Sequence, residues 1–361
     1  MDYFFLTVVL VIFIIGLVAL SSASTVVSYE KSGSNYSLFL RQVMYGAIPG
    51  LILMYLLSRI NYHVWQKFAP LLVFIGIILL VLVLMPGIGF KTGNARRWIN
   101  FGFFFFQPAE FLKLVTVFYL ASWYDKRQRQ AHDLYYGFLP SLVIVGLIVG
   151  LIILQPDLGT MLVLAGIAAV MFFIGGVRIK YLFSAAAGGL LVFWLLIKAA
   201  PYRMHRFLAF FDPNADTKGV TYQIYQALIA IGSGGWWGVG IGQSRQKYNY
   251  LPEPMGDSIF AIMAEELGYI RIMIVLAIFL LFAYKGYKIS RAAPDTFGKL
   301  VAAGITSWIV LQALINIGGI AKVIPLTGIP LPLISYGSSA LVVTLAAIGV
   351  LLNISRFSTT K

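Results

Sequence analysis

The chain has 361 residues, 60% hydrophobic and only 11% charged, with a net charge of +14. A water-soluble chain carries roughly a quarter of its residues as charges, so most of this surface must meet lipid. Cysteine is absent, which excludes disulfides, thiolate nucleophiles and Cys-based metal centres, and His63, His132 and His205 are too scattered for a ligand cluster.

Apolar runs near 4–27, 42–57, 68–85, 107–124, 138–154, 158–175, 181–199, 258–285, 298–318 and 335–354 each approach the ~20 residues a helix needs to cross hydrocarbon. They predict an all-α polytopic membrane protein of about ten transmembrane helices. The chain 1–361 reads as a single transmembrane domain with a large extracellular loop, 200–256, between spans seven and eight. The first run has no basic segment before it, only Asp2, and is expected to be an uncleaved span rather than a signal peptide. No inverted repeat of the transporter kind is evident.

With both termini cytoplasmic, thirteen Lys and Arg lie inside against six in the short outer loops, which favours that orientation. The basic excess is therefore a matter of topology and not of nucleic acid. Six more cations, Lys198, Arg203, Arg206, Lys218, Arg245 and Lys247, belong to the long loop, and Arg96-Arg97 lies between spans three and four. Cations on the translocated side oppose the positive-inside preference. As a set they predict an outward pocket for an anion such as phosphate or pyrophosphate, against the plainer reading of headgroup contact.

In chain order, Glu110 and Lys113 share a helix face at i, i+3 and are expected to pair, either as a structural ion pair or at the border of a substrate cavity. Asp157 in Gln155-Pro-Asp157 reads first as the N-cap of the next span. Gly232 to Gly242 holds six glycines with Trp236-Trp237 among them. It lacks the strand–helix setting of a dinucleotide loop and predicts a re-entrant or interfacial segment. Asp257 opens span eight near Arg245, Lys247 and Glu253, as a candidate general base or an N-cap. At ~100° per residue, Glu265 lies nearer its face and Glu266 opposite. Pro325, Pro330 and Pro332 forbid regular helix before Ile334-Ser335-Tyr-Gly-Ser338-Ser339, which predicts a cavity wall.

These segments together resemble the SEDS family of shape, elongation, division and sporulation proteins, which includes FtsW, RodA and SpoVE. The resemblance is carried by Ala95-Arg-Arg-Trp-Ile99, Gln107-Pro-Ala-Glu-Phe-Leu-Lys113, Gln155-Pro-Asp-Leu-Gly-Thr160, Ile231-Gly-Ser-Gly-Gly235, Tyr250-Leu-Pro-Glu253, Ala264-Glu-Glu-Leu-Gly268, Pro325-Leu-Thr-Gly and Pro332-Leu-Ile-Ser-Tyr-Gly337, in family order. Tyr202-Arg203, Phe211-Asp-Pro213 and Gly242-Gln-Ser-Arg-Gln-Lys-Tyr248 look more like the FtsW and SpoVE branch than like RodA. Three departures stand out. Gly256 and Ser258 flank Asp257 where the family usually has Thr and Phe, Gly337 is single where a pair is usual, and Arg271 replaces a usual Gly.

The resemblance implies a peptidoglycan glycosyltransferase that polymerises lipid II on the outer face of the bacterial cytoplasmic membrane. A class B penicillin-binding protein and other divisome or elongasome membrane proteins would be its partners, and Asp257 matches the family's essential aspartate. Asp257 would take the acceptor proton, while Arg96, Arg97, Arg245 and Lys247 would meet the pyrophosphate. Trp98 is placed to stack on a sugar or anchor the interface, and Glu110, Lys113, Glu253, Ser335 and Ser338 complete the expected substrate-binding set. A divalent cation, Mg²⁺ or Mn²⁺, stays open beside these cations. Two rivals follow from the same features: a lipid II flippase without bond chemistry, which makes no glycan, and a non-catalytic division scaffold, which tolerates loss of Asp257.

Overall fold

The computed structural model describes residues 1–92, 95–102, 104–199, 204, 210–211 and 219–358. Among them, eight helices are long and apolar enough to cross a membrane. These are α1 (Tyr3–Ala23), α3 (Ser37–Arg59), α4 (His63–Leu84), α6 (Leu134–Leu154), α8 (Ile179–Ala199), α10 (Ile259–Ala292), α11 (Thr296–Ile320) and α12 (Ser338–Phe357). The shorter apolar α7 (Leu158–Ile174) and the charge-bearing α5 (Pro108–Lys126) pack among them, which bears out the all-α polytopic fold. Short α2 (Thr25–Ser32) and the loop helix α9 (Val220–Ser233) lie beside the bundle ends.

α11 and α12 are the most enclosed spans and α8 the least. Lipid tails offer no hydrophobic drive between helices, so close approach depends on small residues. Gly50 and Gly349 provide it between α3 and α12, where an added Cβ would meet Leu345 and the Met54 backbone. Exposed Ile14, Phe74, Phe183 and Leu280 give the bundle its greasy exterior.

Both chain termini lie at one end of the bundle. The Asp2 amide donates to Ser355 Oγ at 3.0 Å, and Asn353 accepts from the Tyr62 amide at 3.0 Å while donating to Ser58 O at 2.9 Å. Tyr62 also donates to Asp295, and burial together with that carboxylate pushes its phenol well above the ordinary range.

Three local features differ from the sequence expectations. Span one stops at Ala23, with a separate helix from Thr25. Span ten begins at Ser338, which leaves Ser335 in the preceding loop. A three-stranded antiparallel sheet, β1 (Gly89–Thr92), β2 (Ala95–Asn100) and β3 (Phe105–Phe106), sits between α4 and α5 where only a loop was expected.

Candidate active site

The end of the bundle distal to the termini gathers most of the predicted site. Asp257 lies half-exposed in the turn that leads into α10. Pro252 and Pro254 keep this stretch out of a helix, and the Glu253 carbonyl accepts from the amides of Gly256 at 3.0 Å and Ser258 at 3.3 Å. Three long-range bonds then clamp the turn. Ser335 Oγ donates to Gly256 O at 2.7 Å, the Tyr336 amide donates to Met255 O at 2.9 Å, and Asn316 Nδ2 on α11 donates to both Asp257 O and Ile329 O at 2.8 Å. The carboxylate itself accepts from Gln223 Nε2 on α9 at 3.1 Å, and the same amide reaches Ser258 Oγ at 2.9 Å. Ser258 takes the N-cap position of α10, so the reading of Asp257 as a helix cap is not what the structure shows.

The neighbouring carboxylates have a different task. Gly268 breaks α10 with φ 74° and ψ 174°, which frees backbone groups that must find partners. The Gly-rich segment supplies them. Val239 and Gly240 amides donate to Glu265 O and Glu266 O at 3.0 and 3.1 Å, while Gly235 O and Trp236 O accept from the Tyr269 and Ile270 amides at 2.8 and 3.2 Å. The backbones cross at Gly238 and Gly268, both at positive φ, where a Cβ on either would collide with the other segment. Trp236 and Trp237 stay exposed, as an interfacial loop requires. Arg271 donates to Trp237 O at 2.8 Å and closes the loop.

Glu265 and Glu266 are buried, and their oxygens are taken up by residues 22 and 244–247. Glu265 accepts from Ser244 Oγ and from the Arg245 amide at 2.9 Å. Glu266 accepts from Ser22 Oγ at 2.6 Å and pairs with Lys247 Nζ at 3.3 Å. Lys247 also donates to Gly242 O at 2.6 Å and Ser22 Oγ at 3.0 Å. It was expected in an outward anion pocket; instead it is 3% exposed, because a buried carboxylate requires a counter-charge. Two positions earlier in the chain, Arg245 keeps its side chain in the open.

Arg97 likewise works for the fold. It donates from Nε to Gln155 O at 3.2 Å and from an η nitrogen to Pro156 O, and it lies 3.8 Å from Asp157. Asp157 caps α7 through the Thr160 amide at 3.1 Å, as its position before the span suggested, and accepts from Gln107 at 3.4 Å. Arg96 and Trp98 flank Arg97 on β2, where the pairing with β1 is irregular opposite Phe90 and Lys91; both are partly exposed, and Arg96 reaches Leu84 O at 3.5 Å. Glu110 and Lys113 pair at 2.7 Å as expected. Both are buried, with Lys113 donating to Gln312 at 2.7 Å and lying 5.3 Å from the Trp308 ring. Ser335 is buried with its hydroxyl used twice, and Ser338 reaches Gln42 at 3.3 Å.

The expected site residues therefore divide. Asp257, Arg96, Trp98, Arg245, Glu253 and Ser338 retain access to solvent, whereas Glu110, Lys113, Lys247 and Ser335 are built into the scaffold and Arg97 braces a turn. Gln223 and Asn316 touch Asp257 and were missed by sequence reasoning, since nothing in the spacing of α9 or α11 points at a residue far along the chain. Arg203, Arg206 and Lys218, together with the Tyr202 and Asp212-Pro213 matches, lie outside the described residues. Among the described residues no group of three or more His, Asp or Glu is placed to hold a metal ion. A polar groove of about 590 Å³ between α1, α2 and the 241–248 loop has Lys247 in its wall, and an apolar one of about 320 Å³ runs between α1 and α10.

Comparison with known proteins matches residues 2–360 to the FtsW/RodA/SpoVE family model, described as cell cycle protein. The chain is 42% identical to stage V sporulation protein E of Bacillus subtilis over 99% of its own length and 97% of that protein. It is 36% identical to a probable peptidoglycan glycosyltransferase FtsW of Trichlorobacter lovleyi, covering 98% and 93%. Among solved structures, a chain from a peptidoglycan synthase complex that coordinates polymerization and crosslinking superposes with a TM-score of 0.79 at 27% identity, covering 100% and 99%.

Proposed function

The chain belongs to the FtsW/RodA/SpoVE family of cell cycle proteins, and from that premise we propose that it is a peptidoglycan glycosyltransferase that polymerises lipid II. The observation that carries the proposal is Asp257: a half-exposed carboxylate at the distal end of the bundle, steered by one side-chain amide and fixed in backbone by Asn316 and Ser335. Among the described residues near it, Glu253 is exposed on its loop, and Glu265 and Glu266 are sealed.

In the proposed reaction an acceptor sugar hydroxyl, whose pKa is far above 7, loses its proton to Asp257 as its oxygen attacks the donor's anomeric carbon. The new C–O bond forms while the anomeric C–O bond to the pyrophosphate breaks, and polyprenyl pyrophosphate leaves with both electrons of that bond. One displacement turns an α-linked donor into a β-linked glycan, so neither a covalent intermediate nor a second carboxylate is needed. Among the described residues, Arg245 and Arg96 are accessible cations suited to meeting the leaving charge. The distal end would face outward from the bacterial cytoplasmic membrane with both termini inside, in line with the Lys and Arg distribution. A class B penicillin-binding protein is the proposed partner, supported by the likeness to a chain from a complex that couples polymerization to crosslinking.

The test is polymerisation of labelled lipid II by purified protein, read on a gel, with and without the penicillin-binding protein and Mg²⁺. Glycan from the parent and none from Asp257→Asn is expected. Glycan from Asp257→Asn would remove the base, and no glycan from the parent under any of these conditions would favour a transporter or scaffold.

A further inference from the structure

α9 buries Thr221, Ile224 and Ala227 along one face and holds Gln223 half-buried beside it. The Gln223 amide nitrogen meets two acceptors at once, Asp257 Oδ1 at 3.1 Å and Ser258 Oγ at 2.9 Å. A carboxylate oxygen can only accept, so the nitrogen must be the end that faces it, and two N–H bonds to two oxygens fix the plane of the amide. The second anchor of the amide is the Ser258 hydroxyl, at the N-cap of α10.

From this geometry we infer that Gln223 is a positioning residue for the transfer reaction, orienting the Asp257 carboxylate, and that Ser258 acts through Gln223 by holding its amide. Asn316 and Ser335 hold the backbone of the turn, and the Gln223 bond to Oδ1 acts on the carboxylate itself. The inference rests on the proposal that Asp257 is the base.

The test uses the full chain with its penicillin-binding protein and lipid II. Gln223→Met keeps length and removes the donor. It should lower kcat by about 10- to 100-fold, the worth of a hydrogen bond to a charged group, while KM for lipid II stays within about threefold. Ser258→Ala should cost roughly threefold, and the double variant should be no worse than Gln223→Met, because Ser258 acts through that amide. If Gln223→Met does not accumulate, Gln223→Glu is isosteric and should lose kcat at least as severely. Retained kcat in either Gln223 variant, a loss confined to KM, or additive losses in the double variant would overturn the inference. An active Asp257→Asn would instead overturn the premise and leave these measurements to explain otherwise.

Discussion

Asp257 and the Glu265–Glu266 pair stand on one short stretch of chain, yet the structure treats them oppositely. The pair is buried and meets hydroxyls, amides and the Lys247 ammonium. Asp257 is half-exposed, with Gln223 on one oxygen. A buried charge is tolerated only when satisfied, and a satisfied carboxylate has no capacity left for a substrate proton. The contrast teaches that burial, which the fold must compensate, separates acids kept for the scaffold from one left within reach of solvent.

The largest effect should come from the open acid. Asp257→Asn is expected to reduce polymerisation by roughly 100- to 10,000-fold, the range of general base catalysis, with thermal unfolding in detergent and co-purification with the partner unchanged. A shift in unfolding temperature of several degrees would place Asp257 with the structural acids and dissolve the contrast.

Next comes the sealed pair. Lys247→Met strands the Glu266 charge and should destabilise the protein by about 3–5 kcal/mol, seen as low membrane yield and early thermal unfolding. Adding Glu266→Gln should restore much of that loss, since the penalty is the unpaired charge rather than the missing bond. A stable Lys247→Met that fails to bind lipid II would return Lys247 to the role the sequence suggested.

Why the sequence placed Lys247 in an outward pocket while the structure buries it is a physical matter. Features carried by local periodicity were readable: the spans from apolar runs, the Glu110–Lys113 pair from its i, i+3 spacing, the Asp157 cap, and the helix-free 321–337 segment from its prolines. Contacts set by tertiary packing were not. Lys247 with Glu266, Gln223 with Asp257 and Arg97 with the 155–156 carbonyls join elements with no shared repeat. A lysine in a polar loop looks the same in sequence whether it faces solvent or a buried glutamate. The short sheet before α5 was hidden for a related reason: strands of two to six residues hold too few positions to display alternation.

The crossing of Gly238 and Gly268 is what brings the sealed acids to the loop, so it offers an intermediate effect. Gly268→Ala forces a side chain into positive φ and against the Gly238 backbone. A cost of about 1–3 kcal/mol for the strained backbone alone, with faster proteolysis at the 234–242 loop, is expected. Unchanged protease sensitivity would mean that the loop holds its place without the crossing.

The smallest effect on folding should come from Arg245, and it gives the finest test. Arg245 and Lys247 are two residues apart with the same charge, one in solvent and one walled in. Arg245→Ala should change stability by no more than about 0.5 kcal/mol, as for an ordinary surface site. If its guanidinium meets the pyrophosphate, KM for lipid II should rise roughly 3- to 10-fold, and the difference from the parent should shrink as salt screens the exposed charge. An unchanged KM would place the anion-binding role on other cations and leave Arg245 a solvated charge. A fall in kcat at constant KM would instead mean that the contact forms only as negative charge develops on the leaving group.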